Sequence, residues 1–77
     1  MNSIKKTIYD KIATKHVARF RSLVNLFENS YESEQKKDYA KKALKELEKV
    51  KNFDPVRCSL ISVIYNTRIL DIYANLA

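Results

Sequence analysis

The chain has 77 residues, no glycine, one cysteine and one histidine, and its 15 basic against 9 acidic residues give a net charge of +6. Because glycine supplies the positive φ angles of tight hairpin turns, its absence disfavours a β-rich fold, and the abundant Lys, Glu, Leu and Ala favour helices. A single cysteine excludes an internal disulfide, one histidine leaves no multi-ligand metal motif, and no apolar run approaches the roughly 20 residues that span a bilayer.

The first predicted helix runs from about Ser3 to Glu28 and is basic and amphipathic. A polar step at Lys15-His16 interrupts its apolar stripe, so we expect a bend near Thr14–His16. His16 is expected to be a surface or helix-face histidine and not a general base. The segment is also poor in acids and bears hydroxyl groups, which resembles a mitochondrial targeting segment. The alternative, a basic amphipathic helix of the mature fold, is favoured because this stretch is needed to complete the bundle. The stripe consists of Ile4, Ile8, Ile12, Phe20, Leu23, Val24 and Phe27.

A polar turn at residues 29–33 precedes the second predicted helix, which runs from about residue 34 to residue 51. Ser33 is expected to cap this helix, because serine is a favoured N-cap residue. Glu46 is placed to pair with Lys49 three residues later. Lysines cover one side of the helix, and the other side is formed by Tyr39, Ala40, Ala43, Leu44, Leu47 and Val50.

The dipeptide Asp54-Pro55 marks the start of the third predicted helix, which runs nearly to Leu76. Aspartate is a preferred N-cap, and proline suits the first helical position, where its missing N–H would have no partner. Apolar residues cover more than half of the circumference, so we expect another molecule to cover part of this helix. They form two stripes: Val56, Leu60, Val63 and Ile64, and Ile61, Tyr65, Ile69, Ile72, Tyr73 and Leu76.

These segments together predict an all-α fold, a three-helix antiparallel bundle in a single domain over residues 1–77. No catalytic constellation is present, because the chain lacks a plausible triad, a phosphate-binding glycine loop and a dinucleotide motif. Cys58 is expected to be a small buried hydrophobic residue. The sequence therefore predicts a protein that is not an enzyme and has no metal or cofactor of its own, and its charge favours an acidic partner.

Three short segments stand in fixed order within residues 17–70: Arg19-Phe20-Arg21-Ser22-Leu23, Asp38-Tyr39-Ala40-Lys41-Lys42 and Lys51-Asn52-Phe53-Asp54-Pro55-Val56. Together they resemble the LYR-motif family of small mitochondrial three-helix proteins. Phe20 takes the position of the motif's tyrosine and Arg21 that of its arginine, whereas Arg19 replaces its leucine. Leu47 stands where the family has a phenylalanine late in the second helix.

The resemblance implies a non-catalytic accessory subunit or assembly factor of a large mitochondrial complex, respiratory or ribosomal, on the matrix side. It further implies binding to an acidic acyl carrier protein, whose acyl-phosphopantetheine arm inserts between the helices. The implied partner contacts, several of them charge-assisted, are Lys15, Phe20, Arg21, Lys41, Lys42 and Lys45. The residues implied to line an acyl tunnel, or else to form an ordinary core, are Val24, Ala43, Leu44, Leu47, Ile61 and Ile64.

Two other classes of function remain open. A basic nucleic-acid-binding protein is one, because Lys37, Lys41 and Lys45 align on one helix face and could contact phosphates. The other is a small prokaryotic or phage helical regulator in the cytoplasm. This alternative rests on two segments of the chain, Ile8-Tyr9-Asp10 and Leu44-Lys45-Glu46-Leu47, which resemble parts of bacteriocin immunity proteins.

Overall fold

The computed structural model describes residues 3–77 and builds them into four α-helices, with every other described residue in turns or short links. The helices are α1 (Ser3–Glu28), α2 (Ser33–Phe53), α3 (Pro55–Ile64) and α4 (Asn66–Leu76). α1 and α2 form an antiparallel hairpin, and α3 with α4 returns alongside both, so the bundle is elongated at 46 × 19 × 17 Å. The all-α prediction is confirmed, and the predicted three helices are corrected to four.

The fourth helix arises because the predicted third helix is broken at Tyr65. This residue has φ −98° and ψ 14°, outside the α-helical region, although its N–H still donates to the Ile61 carbonyl at 2.8 Å. Its ring packs edge-on against Phe20 of α1, with ring centroids 5.3 Å apart, and the Arg68 guanidinium lies 4.7 Å from the ring centre. We attribute the break to these ring contacts, together with the two β-branched residues before it, Val63 and Ile64, which lower helix propensity.

Helix α1 is continuous through the polar step, and His16 lies on its buried side. Only 9% of this residue is exposed, so of the two predicted positions, on the surface or on a helix face, the surface position was wrong. The reason is positional: His16 follows Ala13 by three residues and precedes Phe20 by four, and all three share the face that packs against α2. His16 is therefore a polar member of the buried stripe and does not interrupt it.

The core lies along the seam where α1, α2 and the C-terminal helices meet. Two alanines of α2 are fully buried, and they let α1 approach closely enough for its aromatic side chains to fill the interior. Such dense packing stabilises the chain through hydrophobic burial and dispersion. The buried apolar side chains are Ala13, Phe20, Val24, Phe27, Ala40, Ala43, Val50, Ile61 and Ile72.

The two predicted caps have opposite outcomes. Ser33 is already the first residue of α2, and the N-cap is Glu32, whose side chain makes no capping hydrogen bond, so that prediction was wrong. Asp54 is the N-cap of α3, and its Oδ1 accepts the backbone N–H of Arg57 at 3.1 Å, with Pro55 at the first helical position. The aspartate cap is confirmed.

Replacing Asp54 by alanine is expected to lower the free energy of unfolding by about 1 kcal/mol, because one orphan N–H of α3 loses its partner. Asp54→Asn keeps a capping oxygen and should lose less than Asp54→Ala. Glu32→Ala is the control at a cap without a side-chain hydrogen bond. Urea unfolding followed by circular dichroism measures all three, and equal losses for Asp54→Ala and Glu32→Ala would contradict the capping role.

Candidate functional site

A surface groove runs between α2 and the two C-terminal helices. Its volume is about 830 Å³, and its lining residues are Leu44, Lys45, Leu47, Glu48, Lys51, Asn52, Pro55, Cys58, Ser59, Ser62 and Tyr73. Cys58 is half-buried and packs against the core, and its thiol donates to the Leu47 carbonyl at 3.7 Å. The groove therefore combines apolar side chains of α2 and the C-terminal helices with the charged side chains of Lys45, Lys51 and Glu48.

A row of lysines follows the exposed side of α2. Lys37, Lys41 and Lys45 are spaced by four residues, about 6 Å along the helix axis, and none forms an ion pair with any residue from 3 to 77. Lys42 differs, because its Nζ lies 2.9 Å from Asp38 Oδ2 and the hydrogen bond to that carboxylate raises the pKa of Lys42. The lysine row is thus a line of exposed positive charge that no acid of the described residues pairs with, and Lys45 belongs to both the row and the groove.

The predicted partner contacts of α1 lie elsewhere. Lys15 and Arg21 are exposed, and Arg21 shares a helix face with Thr14, Asn25 and Glu28. The side chains of those three residues bond to arginines of α3 and α4, so Arg21 borders the junction of α1 with the C-terminal helices. The structure therefore does not bring Arg21 into the lysine row of α2.

The predicted apolar contacts divide into three groups. Phe20 is completely buried, so it belongs to the core and offers no surface to a partner. Leu44 and Leu47 line the groove, whereas Ile64 is 75% exposed on the outer side of α3. The remaining residues of the predicted tunnel are buried in the core: Val24, Ala43 and Ile61.

A polar centre between α1 and α2 was not predicted from the sequence. His16 Nδ1 lies 2.5 Å from Glu46 Oε2, and both side chains are nearly buried. Glu46 also lies 4.0 Å from Arg19 and 3.8 Å from Lys49, which confirms the predicted pairing with Lys49. The imidazole stacks on Phe53 with ring centroids 6.3 Å apart. These contacts satisfy the hydrogen-bonding groups of both buried side chains, so we assign the centre a structural role. The sequence signal for this centre was the spacing of His16 within the core stripe.

Two arginines fasten the C-terminal helices to α1. Arg57 bonds to Asp10 and donates to Thr14 Oγ1 at 2.7 Å. Arg68 donates two hydrogen bonds to the Glu28 carboxylate, from Nε at 2.8 Å and from Nη2 at 2.7 Å. This hydrogen-bonded pairing lowers the pKa of Glu28. Both guanidinium groups are thereby engaged within the chain, and neither is available to an acidic partner.

The part of the chain that the structure describes contains no group of three or more His, Cys, Asp or Glu side chains able to hold a metal ion. None of the helices formed by residues 3–77 is long and apolar enough to cross a membrane. Comparison of the chain with family models, with curated proteins and with solved structures gives no match.

Proposed function

We propose that this chain is a non-catalytic accessory or assembly protein that holds an acidic partner protein against α2. The observation that carries the proposal is the junction at Lys45, where the lysine row meets an apolar groove on the same helix. A partner with carboxylates beside an exposed apolar group would use both features at once. Complementary charge would steer and orient it, and the groove would bury the apolar group.

The resemblance to the LYR-motif family suggests which partner has this chemistry. An acyl carrier protein in the mitochondrial matrix is acidic and bears an apolar acyl-phosphopantetheine arm. The groove of about 830 Å³ falls within the size of pockets that hold small ligands. We propose that the arm lies along this groove, outside the core, because the side chains of Val24, Ala43 and Ile61 already fill the space between the helices.

The double variant Lys41→Glu/Lys45→Glu is expected to bind an acylated carrier protein about tenfold more weakly than the wild type, chiefly through slower association. The reversed charges would repel the carboxylates that the lysine row attracts. Stopped-flow fluorescence with a labelled carrier protein measures the association rate. Binding of the wild type should weaken as salt rises, because exposed charges are screened.

The matched control is Lys6→Glu/Lys11→Glu, which makes the same change in net charge on α1, away from the groove. If the two double variants lost affinity equally, the loss would be due to the change in net charge alone. That result would contradict the proposed docking surface. Ser59→Trp, which places a large ring in the groove, should remove any preference for the acylated over the unacylated carrier. An unchanged preference would place the acyl arm elsewhere, and no binding of either carrier by the wild type would refute this partner.

The lysine row also supports nucleic-acid binding as a second candidate function. Lysines that neutralise phosphates release counterions, so binding to RNA or DNA would weaken steeply and linearly on a logarithmic salt scale. That mode of binding would need the lysine row but not the groove. Loss of nucleic-acid affinity in Lys41→Glu/Lys45→Glu, with Ser59→Trp unaffected, would favour this candidate over the carrier protein.

A further inference from the structure

A continuous apolar stripe covers the outer side of α3 and α4, facing away from α1 and α2. Its large members are exposed by 59% at Leu60, 76% at Val63, 75% at Ile64 and 60% at Leu70. Val56, at one end, is 72% exposed. Single exposed apolar residues are normal on soluble proteins, whereas contiguous exposed apolar patches mark interaction sites. The apolar stripe of α3 and α4 is therefore a candidate interaction surface.

The spacing of the stripe is symmetric about Tyr65. Alternating steps of four and three residues, the repeat of a two-helix seam, connect Val56, Leu60 and Val63 of α3 with Thr67, Leu70 and Ala74 of α4. The backbone bonds from Tyr65 to Ile61 and from Ile69 to Tyr65 keep the helical spacing across the turn between the two helices. Reversing the direction of the helix leaves this pattern unchanged. In an antiparallel pair of copies with its axis near Tyr65, Leu60 would meet Leu70 of the second copy, and Val63 would meet Thr67. A two-fold interface requires this reciprocal matching of one surface with itself.

The distribution of charge favours a second copy over an acidic partner at this surface. Every lysine of the chain precedes residue 52, and Arg57 and Arg68 are held by acids of α1. Asp71 is then the one charged side chain of α3 and α4 that has no ion pair within residues 3–77. An uncharged face offers nothing to an acidic protein, whereas two copies that meet here keep their lysine-rich helices on opposite sides of the dimer.

We propose that the chain forms an antiparallel homodimer through this stripe, with the two-fold axis near Tyr65 and Ile64 beside the axis in both copies. The proposal does not rest on the lysine row or the groove. Such a dimer covers the apolar surface that neither α1 nor α2 reaches.

Sedimentation equilibrium tests the state of association. The wild type should be dimeric at micromolar concentration, and Val63→Glu should weaken self-association by roughly 100-fold, because two carboxylates would be buried without partners near the axis. The matched control is Tyr31→Glu, which replaces a fully exposed aromatic residue outside the stripe and should leave the dimer intact. Circular dichroism should show the same helix content in all three proteins.

Cross-linking tests the orientation in a Cys58→Ser background. Mixing a Leu60→Cys chain with a Leu70→Cys chain should give a disulfide between the two on mild oxidation, whereas each chain alone should cross-link poorly. Efficient cross-linking of Leu60→Cys with itself would indicate a parallel pair and overturn the antiparallel dimer. A monomeric wild type, or a Val63→Glu variant that remains dimeric, would overturn the proposed interface. A monomer that binds uncharged lipid vesicles through Leu60 and Val63 would assign the stripe to a lipid surface instead.

Discussion

Phe20→Ala is expected to lower the free energy of unfolding by about 3–5 kcal/mol, the usual cost of removing a buried phenylalanine side chain. Phe20 is fully buried and packs edge-on against Tyr65, so the change opens a cavity at the point where α1 supports the break between α3 and α4. A chain of this length has a total stability of roughly 4–12 kcal/mol, at about 0.05–0.15 kcal/mol per residue. The variant should therefore lose a large fraction of the total stability.

Leu26→Ala provides the control on the same helix, because Leu26 is 46% exposed and lies outside the core. It should cost less than about 1 kcal/mol, since little buried surface is lost. Urea unfolding measured by far-ultraviolet circular dichroism compares the two variants. If they lost similar amounts of stability, Phe20 would not be the central core residue that its burial indicates, and a direct contact with a partner would regain support.

The second large effect concerns the buried pair of His16 and Glu46. Replacing either residue by leucine is expected to cost about 2–3 kcal/mol, because the remaining polar group loses its charge-assisted hydrogen bond in a nearly water-free site. The two atoms are 2.5 Å apart, and the two side chains are 11% and 12% exposed. Asp38→Asn is the control, because it breaks an exposed pair with Lys42 and should cost less than about 0.5 kcal/mol.

The double variant His16→Leu/Glu46→Leu completes the thermodynamic cycle. Two apolar side chains of similar volume leave no polar group unsatisfied, so the double variant should lie within about 1 kcal/mol of the wild type. The coupling energy between the sites should then reach roughly 3 kcal/mol or more. Additive losses from the two single variants would show that the pair does not act as a unit. Partner binding should be unchanged in the double variant, because neither residue lies in the lysine row or the groove.

The features that the sequence predicted correctly depend on neighbours close along the chain. Asp54 caps α3 through a residue three positions later, and Glu46 pairs with Lys49 across one helical turn. Glu32, and not Ser33, precedes the first turn of α2, so an error of one residue was enough to make the other cap prediction wrong. Local signals identify that a helix starts, but the capping residue depends on how the chain enters it.

The features that sequence reasoning missed depend on residues far apart in the chain. His16 meets Glu46 30 residues later, and Tyr65 meets Phe20 45 residues earlier. No local pattern records such a contact: the periodicity of residues 55–76 is that of one uninterrupted helix, and His16 is polar within an apolar stripe. The same holds for the candidate site. The lysine row of α2 could be predicted from helical periodicity, whereas the groove beside it depends on where α3 packs and could not be predicted from the sequence.

The sequence by itself determined the helical class, the approximate helix ends, the positive charge of the first two helices and the apolar excess of the last segment. These follow from composition and from spacing within a helix, where the backbone geometry is known in advance. Only the tertiary structure decided that the third segment breaks at Tyr65, that His16 pairs with Glu46, and that Arg57 and Arg68 bind α1. It also decided which apolar stripe of the last segment fills the core and which stays exposed, because two apolar faces of one helix are indistinguishable until neighbouring helices cover one of them.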